Sequence, residues 1–430
     1  MKKIIFLIPC IILLLVVAAC SLDEMKGGTE QTSGVVNMAI TLPQDFEAYG
    51  LSGYTVEFRN TNLGFRYLRQ TDAEGKVSQE IEYGPYQVVV RGEITTPGGK
   101  AIVSGQASIV FNADYKNTIP LVVDASVNML SPIILSEIFF SNSRFETGAN
   151  FAKDKYFVVH NNTPEVQYLD GVGIGFHQAA NSNGTNYYVK ADGVTPRDSV
   201  PHQWAFIIPG SGKDHPLQPG EDAIFALNAV DHTALEGAGP LFVNLARENV
   251  WATYRSEAPA TTGQDPPQPP SKLAFSYFTP GLGNQVIISV TSPAVFIYRF
   301  EGLSAILDTY EKVAMDYVKN PPVPGKDGGH VQFQPGGNNP LTSQPVVNIP
   351  KEWVLDGVEI HNGNAVFNKR FPTSIETGRL LGPAQYSGMS LIRKVNEVLS
   401  AEYGFTVYQD TNNSEEDWIT IDQPSLVGKP

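Results

Sequence analysis

The placement of cysteine most strongly limits what this chain can fold into. Cys10 and Cys20 are the two cysteines among 430 residues, and none follows position 20. The rest of the chain therefore has no disulfide and no Cys-ligated metal with which to stabilise a fold. Because 42% of the residues are hydrophobic and 17% are charged, we expect this long segment to be held together by buried apolar cores.

The segment before Cys20 has the organisation of an export signal. Lysines at positions 2 and 3 precede an apolar run over residues 4–17, and two alanines come directly before the cysteine. A charged start, an apolar centre and small residues at the cleavage site are typical of secretory signals. The Ala-Ala-Cys order resembles the bacterial lipobox, which implies that residues 1–19 are removed and that Cys20 carries lipid. The alternatives are an ordinary secretory peptide or a short membrane helix, but the apolar run is shorter than the roughly 20 residues that span a bilayer.

The residues after Cys20 bear on the predicted location. The acidic tetrapeptide at 21–24 resembles the signal that exports Bacteroidota lipoproteins to the cell surface, and a solvated polar tether is the alternative interpretation. Residues 20–34 are polar and have no apolar periodicity, which predicts a tether. The sequence therefore predicts a protein anchored in the outer membrane by its N-terminal lipid and facing the cell exterior.

Charge and composition limit both the partners and the fold class. The formal net charge is −14, and no run rich in Lys or Arg occurs. Binding to nucleic acid or to an anionic surface by general electrostatics is therefore disfavoured. The 39 Gly and 31 Pro residues, with many Tyr, Phe, Val and Thr, favour strands joined by tight turns. We predict an all-β fold and no nucleic-acid partner.

Residues 35–125 are predicted to form a small β-sandwich. A polar turn containing Gly75, a short strand, a Gly-Pro-Tyr sequence ending at Tyr86 and an apolar strand follow one another. Gly75 stands where a positive φ is easily adopted. This order resembles the prealbumin-like modules of carboxypeptidase regulatory domains and collagen-adhesin B repeats, and the resemblance implies that Tyr86 packs in the core. It indicates a fold but not a function.

Residues 126–430 are predicted to form a larger β-rich domain. An apolar run at 132–140 predicts a buried strand, and a Leu-x-Pro-Gly-Glu turn at 217–221 precedes another apolar strand. With the closing turn at 410–418, these features resemble lamin-tail-like β-sandwich domains, which implies a second sandwich. A long insertion is expected at about 250–350.

One amphipathic helix is predicted within this insertion. Apolar residues recur at helical spacing from Leu303 to Tyr317, charged residues occupy the other face, and prolines at 321 and 322 end the pattern. The spacing from Leu391 to Leu399 also fits a helix, but the family resemblance implies a strand there.

The sequence Asp-Gly-Val preceded by Leu occurs twice, at 169–172 and at 355–358. Each copy predicts a strand that is entered through an Asp-Gly turn. A duplicated functional site is one interpretation, and convergent turn chemistry or a structural duplication is the alternative.

Local catalytic motifs do not occur in this sequence. It has no Gly-x-Ser-x-Gly elbow, no His-Glu-x-x-His helix and no phosphate-binding loop. Five of the seven histidines lie between positions 160 and 232 but lack the paired spacing of metal sites, so hydrogen-bonded loop histidines are the alternative to a composite metal site. We predict a protein that is not an enzyme, while a triad assembled from distant residues stays open.

Alternating oxygen donors near the end of the chain form a candidate calcium site. Asp410, Asn412, Ser414 and Glu416 stand at every second position. Carboxylate, amide and hydroxyl oxygens at this spacing can converge on Ca²⁺ when the backbone curls around it. The usual helix–loop–helix context is absent, so an Asx turn or an exposed acidic loop is the alternative. No other cofactor is expected.

The four tryptophans are the candidate contact residues. Trp204 and Trp353 stand in apolar contexts, which predicts core packing. Trp251 and Trp418 stand beside polar residues, and we predict that they are exposed anchors for a ligand or partner.

The combined pattern resembles a family of Bacteroidota surface lipoproteins catalogued as domain of unknown function 4876. The lipobox, the prealbumin-like module, the Leu-x-Pro-Gly-Glu strand and the closing turn are the features that resemble it. Members are often encoded beside TonB-dependent outer-membrane receptors, which implies an accessory role in nutrient or iron-chelate capture. An adhesin or structural surface protein is the alternative, and a hydrolase with an unrecognised site is a further one.

Overall fold

The computed structural model describes residues 32–429 with internal gaps, the longest of which is 301–330. The other gaps are 97–98, 116–119, 130, 178–179, 183–187, 191, 193–194, 203, 256–263, 279–285, 287, 337–338 and 364–366. The predicted signal with Cys20 and the helix expected from Leu303 to Tyr317 lie outside the described residues.

Residues 33–129 form a small β-sandwich. Buried and exposed side chains alternate strictly along its fourth strand, as the pleat of a half-buried strand requires. The strands are β1 (Ser33–Thr41), β2 (Thr55–Asn60), β3 (Arg66–Gln70), β4 (Lys76–Glu82), β5 (Gly84–Thr96), β6 (Gly99–Phe111), β7 (Leu121–Asp124) and β8 (Ser126–Met129), with a 3₁₀ helix at Gln44–Tyr49.

Two sheets enclose the core of the small sandwich. One has the order β4-β1-β7, in which β1 runs parallel to β7, and the other has the order β3-β2-β5-β6-β8. Val56, Phe58 and Tyr86 are buried between them, so Tyr86 lies in the core as predicted. Gly75 has a φ of 74°, which confirms the predicted turn. Since β8 pairs with β6, this sheet continues beyond position 125.

The rest of the described chain forms a larger β-sandwich with short helices. Its strands are β9 (Ile133–Phe139), β10 (Ser143–Arg144), β11 (Asn150–Phe151), β12 (Tyr156–Asn161), β13 (Gln167–Tyr168), β14 (Val172–Phe176), β15 (Ser199–His202), β16 (Ala205–Ile207), β17 (Pro216–Leu217), β18 (Asp222–Ala226), β19 (Val250–Ala252), β20 (Lys272–Leu273), β21 (Phe275–Phe278), β22 (Ala294–Arg299), β23 (Val331–Gly336), β24 (Asn339–Pro350), β25 (Val354–His361), β26 (Leu380–Leu381), β27 (Ser390–Arg393) and β28 (Trp418–Ile421). Its helices are α1 (Glu397–Tyr403), α2 (Ser414–Asp417) and 3₁₀ turns at His232–Ala234 and Lys351–Trp353. No helix in the described ranges is long and apolar enough to cross a membrane.

Two facing sheets enclose the main core of the larger sandwich. Their orders are β20-β19-β18-β12-β9-β27-β28 and β21-β16-β14-β22-β25-β26. Every residue of β9 is buried, because Leu135 and Ile138 enter the core between the sheets while Phe139 packs on the outer side. β22 lies in the middle of the second sheet, so this part of the expected insertion is integral to the sandwich. The predicted all-β class is confirmed.

The segment from Leu391 to Leu399 is part strand and part helix. The predicted strand is present as β27, which pairs with both β9 and β28. It ends at Arg393, and Asn396 then caps α1 by accepting a hydrogen bond from the backbone N–H of Leu399 at 3.1 Å. A side-chain acceptor at this position satisfies a free helical N–H, which favours the helix over a longer strand.

The two Asp-Gly sequences differ in structure. Gly171 has a φ of 76° and forms the predicted turn into β14. Gly357 lies inside β25 instead, so the turn expected at the second copy is absent. Asp170 and Asp356 consequently bind different groups: the first accepts backbone hydrogen bonds from a neighbouring loop, and the second accepts one from Leu135 and pairs with an arginine. The similarity is therefore not a duplicated site.

Candidate functional site

A buried glutamate organises the face of the small sandwich that meets the larger one. Glu57 of β2 has a side chain only 2% exposed, yet three guanidinium groups surround it. Its Oε1 accepts hydrogen bonds from Arg59 Nε at 3.0 Å and Arg66 Nε at 2.7 Å, and its Oε2 accepts one from Arg91 Nη2 at 2.8 Å. Burial alone would raise the pKa of Glu57, but the charges and hydrogen bonds of Arg59 and Arg66 outweigh it and lower that pKa.

The same three arginines reach the larger sandwich. Residues 409–418, here called the closing loop, present two glutamates to them. Arg59 and Arg66 donate to Glu415 Oε2 at 3.1 and 2.9 Å, and Arg91 donates to Glu416 Oε1 at 2.8 Å. These contacts dock the small sandwich on the closing loop through charge-assisted hydrogen bonds.

The inner side of the closing loop is fixed by a buried arginine. Arg393 of β27 lies 2.6 Å from Asp356, 3.1 Å from Asp410 and 3.5 Å from Asp417, measured between nitrogen and carboxylate oxygen. One cation faces three carboxylates, so the charges are not balanced. Burial, opposed by Arg393 and reinforced by Asp410, raises the pKa of Asp356 and of Asp417 to about 6.

A second buried acid supports the start of α2. Glu376 is 1% exposed, and its carboxyl group accepts backbone hydrogen bonds from Ser414 at 3.0 Å and Gly378 at 2.5 Å. Burial raises the pKa of Glu376 to about 8, although the nearby charge of Lys369 opposes the change. Glu376 is therefore largely protonated at neutral pH.

A cleft of about 330 Å³ opens beside the docking contacts, and we call it the arginine cleft. Arg59 and Arg66 line it from the small sandwich, and Lys369, Arg379 and Glu415 line it from the larger one. Four cationic side chains thus share the wall with one carboxylate. The cleft combines charged groups from both sandwiches, a common location for ligand sites.

Arg379 is the least compensated cation of the arginine cleft. Its guanidinium carbon lies 5.2 Å from the ring centre of Phe367, which holds it by a cation–π contact. Within the described part of the chain, it has no ion pair and no side-chain hydrogen bond. Burial lowers the pKa of Arg379, and the positive charges of Arg59 and Arg66 lower it further, while the negative charges of Glu415 and Glu57 oppose the shift.

A second crevice, of about 440 Å³, runs along the seam between the sandwiches. Val127 and Ser131 line it where the chain passes from one sandwich to the other, and Lys351, Asp356 and Asn412 complete it. The closing loop therefore borders both of these cavities.

The structure separates the four predicted calcium donors. Asp410 pairs with Arg393, whereas Glu416 pairs with Arg91 of the other sandwich. Ser414 is 1% exposed, and the backbone N–H of Asn412 lies 3.5 Å from Asp410 Oδ1, the geometry of a long Asx turn. Among the described residues, no three His, Cys, Asp or Glu side chains group to hold a metal. Calcium binding here would require the closing loop to rearrange.

The two predicted aromatic anchors are not exposed. Trp251 and Trp418 are each 3% exposed and belong to the main core, which corrects that expectation. All three residues of β19, which carries Trp251, are buried, and Asp417 beside Trp418 is itself buried, so the polar residues nearby do not mark an exposed indole. Trp251 packs against His215, with ring centres 4.9 Å apart, and Trp418 packs against Arg393.

The histidines between 160 and 232 do not gather into one metal-holding group among the described residues, although His177 and His202 stand opposite each other in a β-bridge. His160 bonds Asp222 at 2.7 Å and the carbonyl of Thr406 at 2.9 Å, as the hydrogen-bonded alternative requires. His202 packs between aromatic rings, and burial lowers its pKa to about 3. It is therefore neutral at physiological pH.

Sequence reasoning did not identify the arginines of the junction. Arg59 and Arg66 lie more than 340 positions from their partner Glu415, so no local spacing connects them. The available signal was Glu57, an acid inside an alternating strand with arginines on the same face. That pattern indicates a polar contact surface on a sheet rather than a solvated face.

Part of this chain is similar to a family of known proteins. Residues 218–425 match the family model described as Protein of unknown function (DUF4876). A solved DUF4876 family protein from Bacteroides thetaiotaomicron VPI-5482 is 22% identical, with a TM-score of 0.53 over 90% of this chain and 94% of that chain. The predicted family resemblance and the shared fold are thereby confirmed.

Two further comparisons add little. A solved protein described as a candidate adhesin from Bacteroides ovatus ATCC 8483 is 10% identical and covers 64% of this chain and 85% of that chain. Its TM-score of 0.16 is too low to support any argument. No curated protein matches this chain.

Proposed function

We propose, starting from the DUF4876 match of residues 218–425, that this chain is a binding protein of the cell surface. In this proposal Cys20 carries lipid that anchors the protein in the outer membrane, and the two sandwiches face the exterior. The role is accessory to a TonB-dependent receptor in the capture of a nutrient or an iron chelate.

The observation that most supports binding is the arginine cleft at the docked junction. A cleft lined from two folded units offers a ligand a defined shape and several convergent polar groups. Leu63, Phe65 and Leu68 are exposed on the hairpin that adjoins this cleft, which adds apolar surface for contact. Arg379, which also lines the cleft, takes no part in the ion pairs that dock the sandwiches.

Anchoring and partner choice are tested together on the full chain. Mass spectrometry of the envelope protein should find a lipidated Cys20 as the first residue, and Cys20→Ala should release the protein from the outer-membrane fraction. Crosslinking on intact cells, followed by affinity capture, should recover a TonB-dependent receptor with the wild type and not with Cys20→Ala.

The outcomes separate the alternatives. An unmodified thiol at Cys20 together with cytosolic fractionation would contradict the anchoring proposal. Recovery of host glycans or matrix in place of a receptor would favour an adhesin. Substrate turnover that one substitution abolishes would favour a hydrolase.

A further inference from the structure

Arg379 stands out among the charged groups of the arginine cleft. Arg59 and Arg66 share Glu57 and Glu415, and Lys369 is in contact with the buried Glu359. Arg379, in contrast, has no carboxylate within 4.0 Å in the described parts of the chain. Glu415 and Glu57 act on Arg379 only from beyond that distance, so its guanidinium group has no close carboxylate in the described structure although the formal net charge is −14.

The surroundings of Arg379 orient its guanidinium group. Phe367 lies against it at 5.2 Å, and the side chain is partly buried at the cleft wall. A planar guanidinium held on an aromatic ring presents two parallel N–H groups, which match the two oxygens of a carboxylate or phosphate. Partial burial strengthens such a contact because water screens it less.

We propose that the arginine cleft binds a ligand through an oxyanion group, a carboxylate or a phosphate, that pairs with Arg379. Arg59 and Arg66 add positive potential at the same site while they remain paired with Glu57 and Glu415. The inference rests on the proposed binding function and extends it by naming the chemical class of the ligand. An anionic chelate or an acidic nutrient has this chemistry.

The test uses the complete mature lipoprotein in detergent micelles and isothermal titration calorimetry. The probes are citrate, inorganic phosphate and the uncharged sugar sucrose. We expect citrate or phosphate to bind, with an affinity that falls as sodium chloride is added, and sucrose not to bind. Binding of citrate alone identifies the group as a carboxylate, and binding of phosphate alone identifies it as a phosphate.

Variants assign the binding to this residue. Arg379→Gln should weaken citrate or phosphate binding at least tenfold, and Arg379→Met, which keeps the aliphatic contact with Phe367, should do the same. Arg69→Gln is the matched control, since Arg69 is exposed on β3 outside the cleft, and it should bind as the wild type does. Thermal melting checks that each variant is folded. If either Arg379→Gln or Arg379→Met is unfolded, the affinity of the other variant decides whether Arg379 binds the anion.

Two results would overturn this inference. One is the absence of citrate and phosphate binding by the wild type at low ionic strength. The other is equal affinity in the wild type and in a folded neutral variant at Arg379. Either result would leave the proposed function standing if a receptor is still captured, whereas loss of receptor capture with intact anion binding would reject the accessory role alone.

Discussion

Glu57 of the small sandwich and Glu415 of the closing loop bind the same two guanidinium groups, those of Arg59 and Arg66. The two acids differ in their surroundings, because the side chain of Glu57 is 2% exposed and that of Glu415 is 39% exposed. Removing one partner of a buried ion pair lowers the free energy of unfolding far more than removing one partner of an exposed pair. The two glutamates should therefore respond very differently to the same substitution.

Glu57→Gln should destabilise the protein strongly. It removes the buried carboxylate that contacts all three arginines at the base of the junction, and we expect a loss of about 2–4 kcal/mol in the free energy of unfolding. Urea denaturation followed by tryptophan fluorescence measures this loss. Glu74→Gln, at an exposed turn, is the matched control, and an equal effect of both variants would show that the arginines do not depend on Glu57.

Glu415→Gln and Glu416→Gln should each change the free energy of unfolding by less than about 1 kcal/mol, because both acids are exposed at the surface of the junction. The double variant should instead loosen the docking of the sandwiches. Limited proteolysis should then cut faster in the link between β8 and β9 than it does in the wild type. Unchanged cleavage would mean that the ion pairs of Glu415 and Glu416 are not what holds the sandwiches together.

Stability should fall as the pH rises from 6.5 to 8, mainly because of Glu376. Its pKa is raised to about 8 in the folded protein from an ordinary value of 4.5, so the folded state binds a proton that the unfolded state has lost. As the pH rises, the folded state must give up this proton and keep a buried charge. We therefore expect the free energy of unfolding to fall by roughly 1–2 kcal/mol over this interval. The lowered pKa values of His202 and His232 act in the opposite direction, but only below about 6.5.

Glu376→Gln tests the origin of this pH dependence. Glutamine has the shape of the protonated acid and cannot titrate, so the slope of stability between pH 6.5 and 8 should largely disappear. Glu402→Gln, on the exposed side of α1, should leave the slope unchanged. Urea denaturation at several pH values measures both, and a slope that persists in Glu376→Gln would assign it to another group.

Trp418→Phe should cost little, and Trp418→Ala should cost about 3–5 kcal/mol. The indole N–H of Trp418 is buried without a hydrogen-bond partner among the described residues, so phenylalanine loses no hydrogen bond and keeps most of the apolar volume. Alanine leaves a cavity in the main core. Denaturation midpoints of the two variants compare them, and similar large losses would indicate that the indole N–H does have a partner.

Calcium should not stabilise this protein in its observed conformation. Asp410 and Glu416 already have arginine partners, so millimolar calcium should leave the melting temperature unchanged. Differential scanning fluorimetry with calcium and with EDTA measures this. A rise that calcium causes and that Asp410→Asn abolishes would instead support the calcium site predicted from the sequence.

The strands were predictable where one local pattern determined the outcome. The Gly75 turn and the core position of Tyr86 follow from backbone freedom and from the need to bury an aromatic ring. The burial of β9 was predictable from its apolar sequence. Its two polar residues, Ser136 and Glu137, are buried with the rest. Glu137 is accommodated because Tyr156 and Ser390 donate hydrogen bonds to it at 2.7 Å.

The candidate site was not predictable, because long-range contacts create it. Arg379 and Arg59 are brought to one cleft only after two separate sandwiches have folded and docked. The misplaced tryptophans show a different limit: Trp251 and Trp418 were assigned by their neighbours along the chain, while their strands β19 and β28 pack both indoles into the main core. Asp410 was predicted to bind calcium from the spacing of oxygen donors, but in the structure its carboxylate pairs with Arg393.

The parallel pairing of β1 with β7 gives the small sandwich a mechanical property. Met38 to Thr41 of β1 lie beside Leu121 to Asp124 of β7, and the chain runs from β7 through β8, which pairs with β6, to the larger sandwich. Tension between an N-terminal attachment and the body of the protein would pull these two strands along their length in opposite directions. All the hydrogen bonds between them would then resist together in shear, instead of opening one after another like a zip.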